Sequence, residues 1–338
     1  MRLLGPIKSM RGVLVPVFLR RHHLGKMCGI AGAFAVAIAL TVSVDGAAGG
    51  QPGLLVYEPF HYPTLANGVC FAAGASGTQA HARGITGRYS LKYIFGTART
   101  HTATYDETGL NFPGLQTNGG AITLAAPGNG VGSTTVSVRL AAPLKRTTLY
   151  GGYLFRSPLG PSPGFCLIIG DKGSRAYWKS AQIISYPKLG NARCGGVGGN
   201  NIPTSIDLGT GISAGRTYLV LFKVQGVNAV RGAVAMTQWI LTDAQYQHFA
   251  ARLDSRTLDA APLGKGADDV LQRGVAKSSP RASYPWFNRG AVSGDGSYLT
   301  LLSSDASAVY DEIRFSERNL AQVAPAVGAG AAHPRTGR

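Results

Sequence analysis

The chain has 338 residues, of which 45% are hydrophobic and only 14% are charged. This is enough apolar material for one or two domains with a substantial core. The formal net charge is +17, but the basic residues are scattered, without a run of five, and no nucleic-acid-binding motif accompanies them. This distribution excludes a typical nucleic-acid binder. It favours a weaker inference, attraction of the positive charge to anionic glycans or an anionic envelope.

The N-terminal segment predicts export. An apolar and small-residue stretch runs from Cys28 to Val44, with Arg20, Arg21 and Lys26 before it and small residues after it. This arrangement is typical of a signal peptide, which we assign to residues 1–48 with cleavage near Ala48. If it is not cleaved, the same stretch is nearly long enough for a membrane anchor, for which about 20 residues are typical. We therefore predict a protein that is secreted or held in the envelope or periplasm, and that meets a membrane only through this segment.

Three cysteines follow the leader: Cys70, Cys166 and Cys194. An exported protein can oxidise them, and we predict a disulfide between Cys166 and Cys194 because this pair would close a glycine-rich loop. Buried free thiols are the alternative. Neither the cysteines nor the dispersed histidines show metal-ligand spacing, so no metal site is predicted.

Short runs of β-type residues fill the rest of the chain between turn residues. The run 217–224 is apolar on both faces, as expected for a central strand, and 232–241 follows it as the second arm of a hairpin. Trp178 and Trp239 lie in such runs and are predicted to be core residues. Many strands separated by turns, with few helices, predict an all-β fold of two packed antiparallel sheets.

One amphipathic helix is predicted after these strands. Thr242 and Gln245 form a capping-box pattern, and Tyr246, Phe249 and Leu253 repeat at helical spacing. We expect this helix to lie across an edge or end of the sandwich, followed by a turn or second short helix.

The C-terminal region predicts a short helix and then a tail. We expect a terminal helical turn that is capped by Ser316 and stopped by Pro325. The tail 326–338 is rich in small residues and is expected to be disordered.

The segment Val309-Tyr310-Asp311-Glu312-Ile313-Arg314-Phe315 resembles the closing strand of laminin-G-like domains of the concanavalin A-like lectin/glucanase superfamily. Residues 56–63 resemble the opening strand of exported bacterial members. The segments 109–115, 217–220 and 238–241 recur between them in the order that those proteins show. The resemblance spans residues 54–325 and implies one jelly-roll β-sandwich domain with one or two short peripheral helices.

The same resemblance implies glycan ligands, and in this superfamily the loops often carry calcium. The residues of this chain define no calcium site, so no cofactor is predicted.

The chain lacks the alternating acidic strand of the glucanase members. Retaining glycoside hydrolysis needs two carboxyls about 5 Å apart. On a regular strand, however, Asp311 would share a face with Ile313 and Phe315, and Glu312 would share the opposite face with Arg314. An ion pair is the favoured interpretation of Glu312 and Arg314. No catalytic residue is predicted, although a polysaccharide lyase or a glycoside hydrolase with an atypical site remains an alternative.

The best candidate ligand-binding segment is 283–290, which proline and glycine mark as a loop. There Trp286, next to Tyr284, can stack on a sugar ring, while Asn288 and Arg289 can hydrogen-bond hydroxyls or a carboxylate. The alternative is that Trp286 closes the end of the sandwich as a core residue. We therefore predict an exported, non-catalytic carbohydrate-binding or cell-surface protein, whose partners are glycans, anionic ones included. A structural or adhesive envelope component without a specific ligand is the alternative.

Overall fold

The structure, a computed structural model, describes residues 53–68, 82–94, 102–125, 133–144, 148–158, 164–170, 181–185, 195–197, 206–207, 212–225, 235–277, 297–304 and 307–328. All of them belong to one compact unit, Gly46–Arg338.

Within the described residues the structure has fifteen strands. They are β1 (Leu54–Glu58), β2 (Ile85–Ile94), β3 (Thr102–Asp106), β4 (Ala121–Ala125), β5 (Ser133–Leu140), β6 (Thr148–Arg156), β7 (Gly164–Gly170), β8 (Ala181–Ser185), β9 (Gly195–Val197), β10 (Ile206–Asp207), β11 (Thr217–Gln225), β12 (Ala235–Leu241), β13 (Gln272–Lys277), β14 (Tyr298–Ser304) and β15 (Ala308–Ser316). The helices are α1 (Asp243–Phe249), a 3₁₀ helix (Ala250–Arg252), α2 (Ser255–Ala260) and α3 (Leu320–Val323).

The strands form two sheets in which every strand pair is antiparallel. The nine-stranded sheet has the order β10-β13-β12-β11-β6-β15-β4-β3, with β1 also paired to β15. The six-stranded sheet has the order β2-β5-β14-β7-β8-β9. The predicted two-sheet antiparallel β-sandwich is therefore confirmed, although the described residues form three short α-helices and a 3₁₀ helix where one or two helices were predicted.

The two sheets enclose the main hydrophobic core. Val136 and Val138 of β5 and Leu299 of β14 meet Val220 and Phe222 of β11 in one buried cluster. Full burial of such a side chain contributes about 1.5–3 kcal/mol, so this interior is the principal source of stability.

The strand β11 is buried on both faces. It lies between β6 and β12; Val220 and Phe222 face the main core, whereas Leu219 and Leu221 belong to a second apolar cluster. The predictions of a central strand and of a β11–β12 hairpin are confirmed. Trp239 of β12 is fully buried in the second cluster, as predicted for a core tryptophan, while Trp178 lies outside the described residues.

The second cluster forms on the outer face of the nine-stranded sheet. Tyr246 and Phe249 of α1 and Leu253 pack there with Leu221 and Trp239. The expectation that the helix crosses an edge or end of the sandwich is wrong. Helix α1 contacts β11 and β12, because their outward apolar side chains need a cover.

The termini of the helices follow their capping residues. The Thr242 hydroxyl accepts from the Gln245 amide (3.3 Å), and the Gln245 side chain accepts from the Thr242 amide (3.0 Å), which confirms the capping box. Helix α3, however, is capped by Asn319, whose side chain accepts from the Gln322 amide (3.0 Å). The expectation for Ser316 is wrong, because its hydroxyl instead donates to the Gln322 side chain.

The leader and most of the tail, 329–338, lie outside the described residues, and the predictions for them stay predictions. Ala326 forms a β-bridge with Leu115, and the Val327 amide donates to the Gly114 carbonyl (2.9 Å). Within the described ranges, no helix has the length and apolarity needed to cross a bilayer.

Candidate functional site

The residues proposed from the sequence as a ligand-binding loop, Tyr284, Trp286, Asn288 and Arg289, lie outside the described residues. That site stays a prediction. Cys166 lies on β7, where its backbone pairs with Leu302 of β14. Cys194 is not among the described residues, so the predicted disulfide also stays a prediction.

The acidic segment of β15 contains a β-bulge that the sequence pattern does not show. Asp311 pairs with Leu154 of β6, and Arg314 pairs with Gly152, so three steps on β15 match two on β6. The extra residue of the bulge is Glu312, whose φ of 53° lies in the left-handed region.

This bulge shifts the alternation of side chains by one residue. Tyr310 faces the main core before the bulge, and Ile313 and Phe315 face it after the bulge. Asp311 and Arg314 therefore lie on the opposite, outer face. The prediction that Asp311 shares a face with Ile313 and Phe315 is wrong for this reason.

Two neighbouring carboxyls consequently lie beneath the segment 109–120. Asp311 accepts hydrogen bonds from the amides of Leu110 (2.7 Å) and Glu312 (2.6 Å). Glu312 accepts from the Asn118 amide and forms an ion pair with Arg314, which confirms that predicted pair. Asp311 is 2% exposed and Glu312 is 1% exposed, so the two acids fasten this segment to β15.

The electrostatics of this pair follow from burial. Burial raises the pKa of Asp311 well above its ordinary value, and the neighbouring charge of Glu312 adds to the effect. Burial also raises the pKa of Glu312, although the Arg314 guanidinium opposes the shift. Arg314 in turn stacks over the Tyr57 ring, 4.7 Å from its centroid. A low-dielectric, solvent-inaccessible network of this kind is suited to structure and not to attack on a substrate.

A third buried acid, Glu58, lies on β1, where its backbone pairs with Ile313 of β15. It accepts hydrogen bonds from the Phe60 amide (2.7 Å) and from the hydroxyls of Tyr62 (3.0 Å) and Tyr89. Burial raises the pKa of Glu58 to about 7, and these donors oppose the shift. Phe60 has a φ of 51°, so the Glu58 carboxyl also stabilises a turn that most residues adopt only with strain.

An open cleft of about 420 Å³ lies on the helical cover of the nine-stranded sheet. It is built from the end of α1, the 3₁₀ helix, α2 and the loop 262–270. Phe249 and Ala261 are buried and form an apolar floor, while the polar members are partly or fully exposed. The residues that line it are His248, Phe249, Arg252, Arg256, Thr257, Ala260, Ala261 and Asp268.

Hydrogen bonds from the side chains of Gln245 and Arg273 fix the walls of the cleft. The Gln245 side-chain amide donates to the carbonyls of Gly264 (3.0 Å) and Gly266 (3.1 Å), which holds the loop 262–270 against α1. On the other side, Arg273 Nη1 donates to the carbonyls of Asp259 (2.5 Å) and Ala261 (3.1 Å) at the end of α2. A cation at a helix C-terminus is favourable, and both sets of bonds preorganise the cleft.

Sequence reasoning missed this cleft. His248 and Arg252 lie four residues apart between the buried positions Tyr246, Phe249 and Leu253, and this helical spacing is the signal that could have located one wall. Arg256 lies on the separate helix α2. The contribution of the loop 262–270, through Asp268, has no comparable sequence signal.

For the described ranges, no group of three histidine, cysteine, aspartate or glutamate side chains is arranged to hold a metal ion. The cleft instead offers guanidinium, imidazole and hydroxyl groups around an apolar floor, and such a set suits an organic ligand with oxygen acceptors.

No protein-family model matches the chain, and no curated protein matches it. Among solved structures, it is similar to the endo-β-1,4-glucuronan lyase from the fungus Trichoderma reesei, with 12% identity over 69% of this chain and 98% of that chain and a TM-score of 0.33. It is similar to the VIP36 exoplasmic/lumenal domain in its Ca²⁺/Man-bound form, with 10% identity over 68% and 82% and a TM-score of 0.30. It is also similar to the alginate lyase Aly36B, with 11% identity over 80% and 98% and a TM-score of 0.31.

The class of protein is defined by this chain's own strand pairing: a two-sheet antiparallel β-sandwich whose outer face carries an open cleft beside two short helices. The fold that the resemblance to concanavalin A-like domains implied is thereby confirmed.

Proposed function

We propose that this chain is an exported, non-catalytic saccharide-binding protein and that its ligand binds in the cleft beside α2. The observation that carries the proposal is the cleft. Its volume of about 420 Å³ falls within the range of about 300–1,000 Å³ that is typical of small-molecule sites.

The chemistry of the cleft suits a sugar. Its floor, which includes Phe249 and Ala261, is apolar. The rim residues Arg252, Arg256 and Thr257 supply donors and acceptors for hydroxyl groups. The resemblance of the sequence to concanavalin A-like domains supports a glycan as the class of ligand, and the leader 1–48 supports export.

The positions of the acids favour binding over hydrolysis. Hydrolysis by paired carboxyls needs two of them at one accessible place. Asp311 and Glu312 are neighbours, but both are buried and hold backbone amides. Of the residues that line the cleft, Asp268 is the single acid.

A glycan array tests the proposal with four proteins: the wild type, the double variant R252Q/R256Q, the variant Trp286→Ala and the charge control Arg83→Gln. Arg83 is exposed and does not line the cleft. We expect the wild type to bind at least one glycan class, the double variant to lose this binding, and the control to retain it.

The Trp286→Ala variant separates the cleft from the loop 283–290 predicted from the sequence. Loss of binding in this variant alone would move the site to that loop. Absence of binding by the wild type to any glycan would contradict the saccharide-binding function and would favour a structural envelope role.

A further inference from the structure

The charges around the cleft are unbalanced. Arg252 and Arg256 are exposed and line it together, against one acid, Asp268. Within the part of the chain that the structure describes, neither arginine forms an ion pair with an acid. Two guanidinium groups at the rim of a preorganised cleft are suited to a carboxylate or a sulfate, which they can bind through paired hydrogen bonds.

A contact between His248 and Arg252 makes the position of one of these guanidinium groups depend on the charge of His248. Arg252 Nη2 lies 3.0 Å from His248 Nε2. A guanidinium can only donate hydrogen bonds, so His248 Nε2 is the acceptor in this contact, a role that an imidazole fills when its proton is on Nδ1. In this state His248 holds one of the two arginines.

Protonation of His248 at Nε2 removes the acceptor of that bond. Arg252 is then released toward the cleft, and the rim gains a third positive charge. The charged residues that line the cleft together with His248 are Arg252 of the 3₁₀ helix, Arg256 of α2 and Asp268 of the loop 262–270. Two of these three are cationic, so an incoming anion would offset the added repulsion.

We propose that the cleft binds an anionic saccharide, whose carboxylate or sulfate is bound by Arg252 and Arg256, and that His248 is a positioning residue that releases Arg252 when it is protonated. This inference rests on the proposed saccharide-binding function, and it specifies the class of saccharide. Anion binding and protonation of His248 must then favour each other, because linkage between two sites is reciprocal. Imidazole is the side chain whose charge ordinarily changes between pH 5 and 8, so this interval is the one to examine.

The test uses a sulfated galactan tetrasaccharide and the same tetrasaccharide without sulfate, titrated calorimetrically at pH 8.0 and pH 5.5 at fixed ionic strength. A sulfate ester stays ionised over this interval, so the ligand itself does not titrate. We expect the wild type to bind the sulfated probe about a hundredfold more tightly than the neutral one, because two arginines contribute, and R252Q and R256Q each to lose about tenfold for the sulfated probe, as one charge-assisted hydrogen bond requires. The exposed control Arg83→Gln should bind as the wild type does.

The role of His248 is tested by His248→Gln, whose side-chain oxygen can accept from Arg252 but cannot be protonated in this interval. We expect the wild type to gain about threefold to tenfold in affinity for the sulfated probe on going from pH 8.0 to pH 5.5, by the reciprocal coupling of two nearby charged sites. His248→Gln should show no such gain, and neither protein should show one for the neutral probe.

Each outcome has a distinct meaning. Equal affinity for the two probes, unaffected by R252Q and R256Q, overturns the anionic class while leaving saccharide binding intact. An equal gain at pH 5.5 in the wild type and in His248→Gln overturns the role of His248. Absence of binding to either probe and to every glycan of the array overturns the proposed function and this inference together.

Discussion

The variant Glu58→Gln should make the protein less sensitive to a rise in pH. Glu58 is 0% exposed, and burial raises its pKa from 4.5 to about 7, against the hydrogen bonds from Tyr89, Phe60 and Tyr62. The difference between these two pKa values corresponds to about 3 kcal/mol of unfolding free energy. Because the folded-state pKa is the higher one, this contribution is fully present below pH 4.5 and is lost as the pH rises through about 7.

Urea unfolding at pH 5.0 and pH 8.5 measures this effect. We expect the free energy of unfolding of the wild type to fall by about 2.5 kcal/mol more than that of Glu58→Gln between these two conditions, because at pH 5.0 the contribution is already slightly reduced. Asp311 and Glu312 also have raised pKa values, but they contribute to both proteins, so the difference isolates Glu58. Glu107→Gln, at an exposed position, is the control. Parallel pH dependence in the wild type and Glu58→Gln would refute the assignment of a neutral, hydroxyl-bonded Glu58.

Three further predictions concern the backbone, a helix cap and the leader. Gly109→Ala should lower the free energy of unfolding by about 1–3 kcal/mol more than Gly68→Ala. Both glycines have positive φ, but only at Gly109 would the added Cβ clash, since it would lie 2.8 Å from the Gly119 carbonyl oxygen. At Gly68 nothing lies within 4 Å of the added Cβ. Equal losses on thermal unfolding would show that segment 109–120 is not packed as described. Thr242→Ala should cost about 1 kcal/mol through loss of the α1 cap, and the exposed control Thr64→Ala should cost much less in urea unfolding; a loss no greater than the control's would contradict the capping box. N-terminal sequencing of the exported protein should begin near Gly49, and an intact N-terminus would show an uncleaved anchor.

The sandwich was predictable because the apolar residues of its strands indicate which strands are buried. The run 217–224 is apolar at every position except Thr217 and Lys223, and only a strand covered on both faces tolerates that composition. The same reasoning did not reveal what covers the second face. The outward side chains of β11 and β12, such as Leu221 and Trp239, are apolar and must be buried by another element. The apolar face of helix α1 must also be buried, so packing these two faces together would have placed the helix on the sheet.

The acids of β15 show where periodicity fails. A strict period of two places Asp311 with Ile313, but one extra residue at Glu312 reverses the faces beyond it. A glutamate in the left-handed region carries no sequence signal, because its conformation is imposed by the hydrogen bonds to segment 109–120. The ion pair of Glu312 with Arg314 was nevertheless predictable, since residues two apart remain close on either side of the irregularity.

The cleft was harder to predict, because it is assembled from four short elements. The spacing of His248 and Arg252 marks one wall. The opposite wall depends on the contacts of Gln245 with Gly264 and Gly266, which only the folded backbone reveals.

Hydrogen–deuterium exchange of the wild type with and without a saturating saccharide locates the ligand most directly, because it reports on the opening of each backbone segment. The account predicts that the ligand slows exchange mainly in residues 248–268, on the helices and loop that form the cleft. Slowed exchange confined to residues 283–290, or no change anywhere with a ligand that is shown to bind, would contradict it.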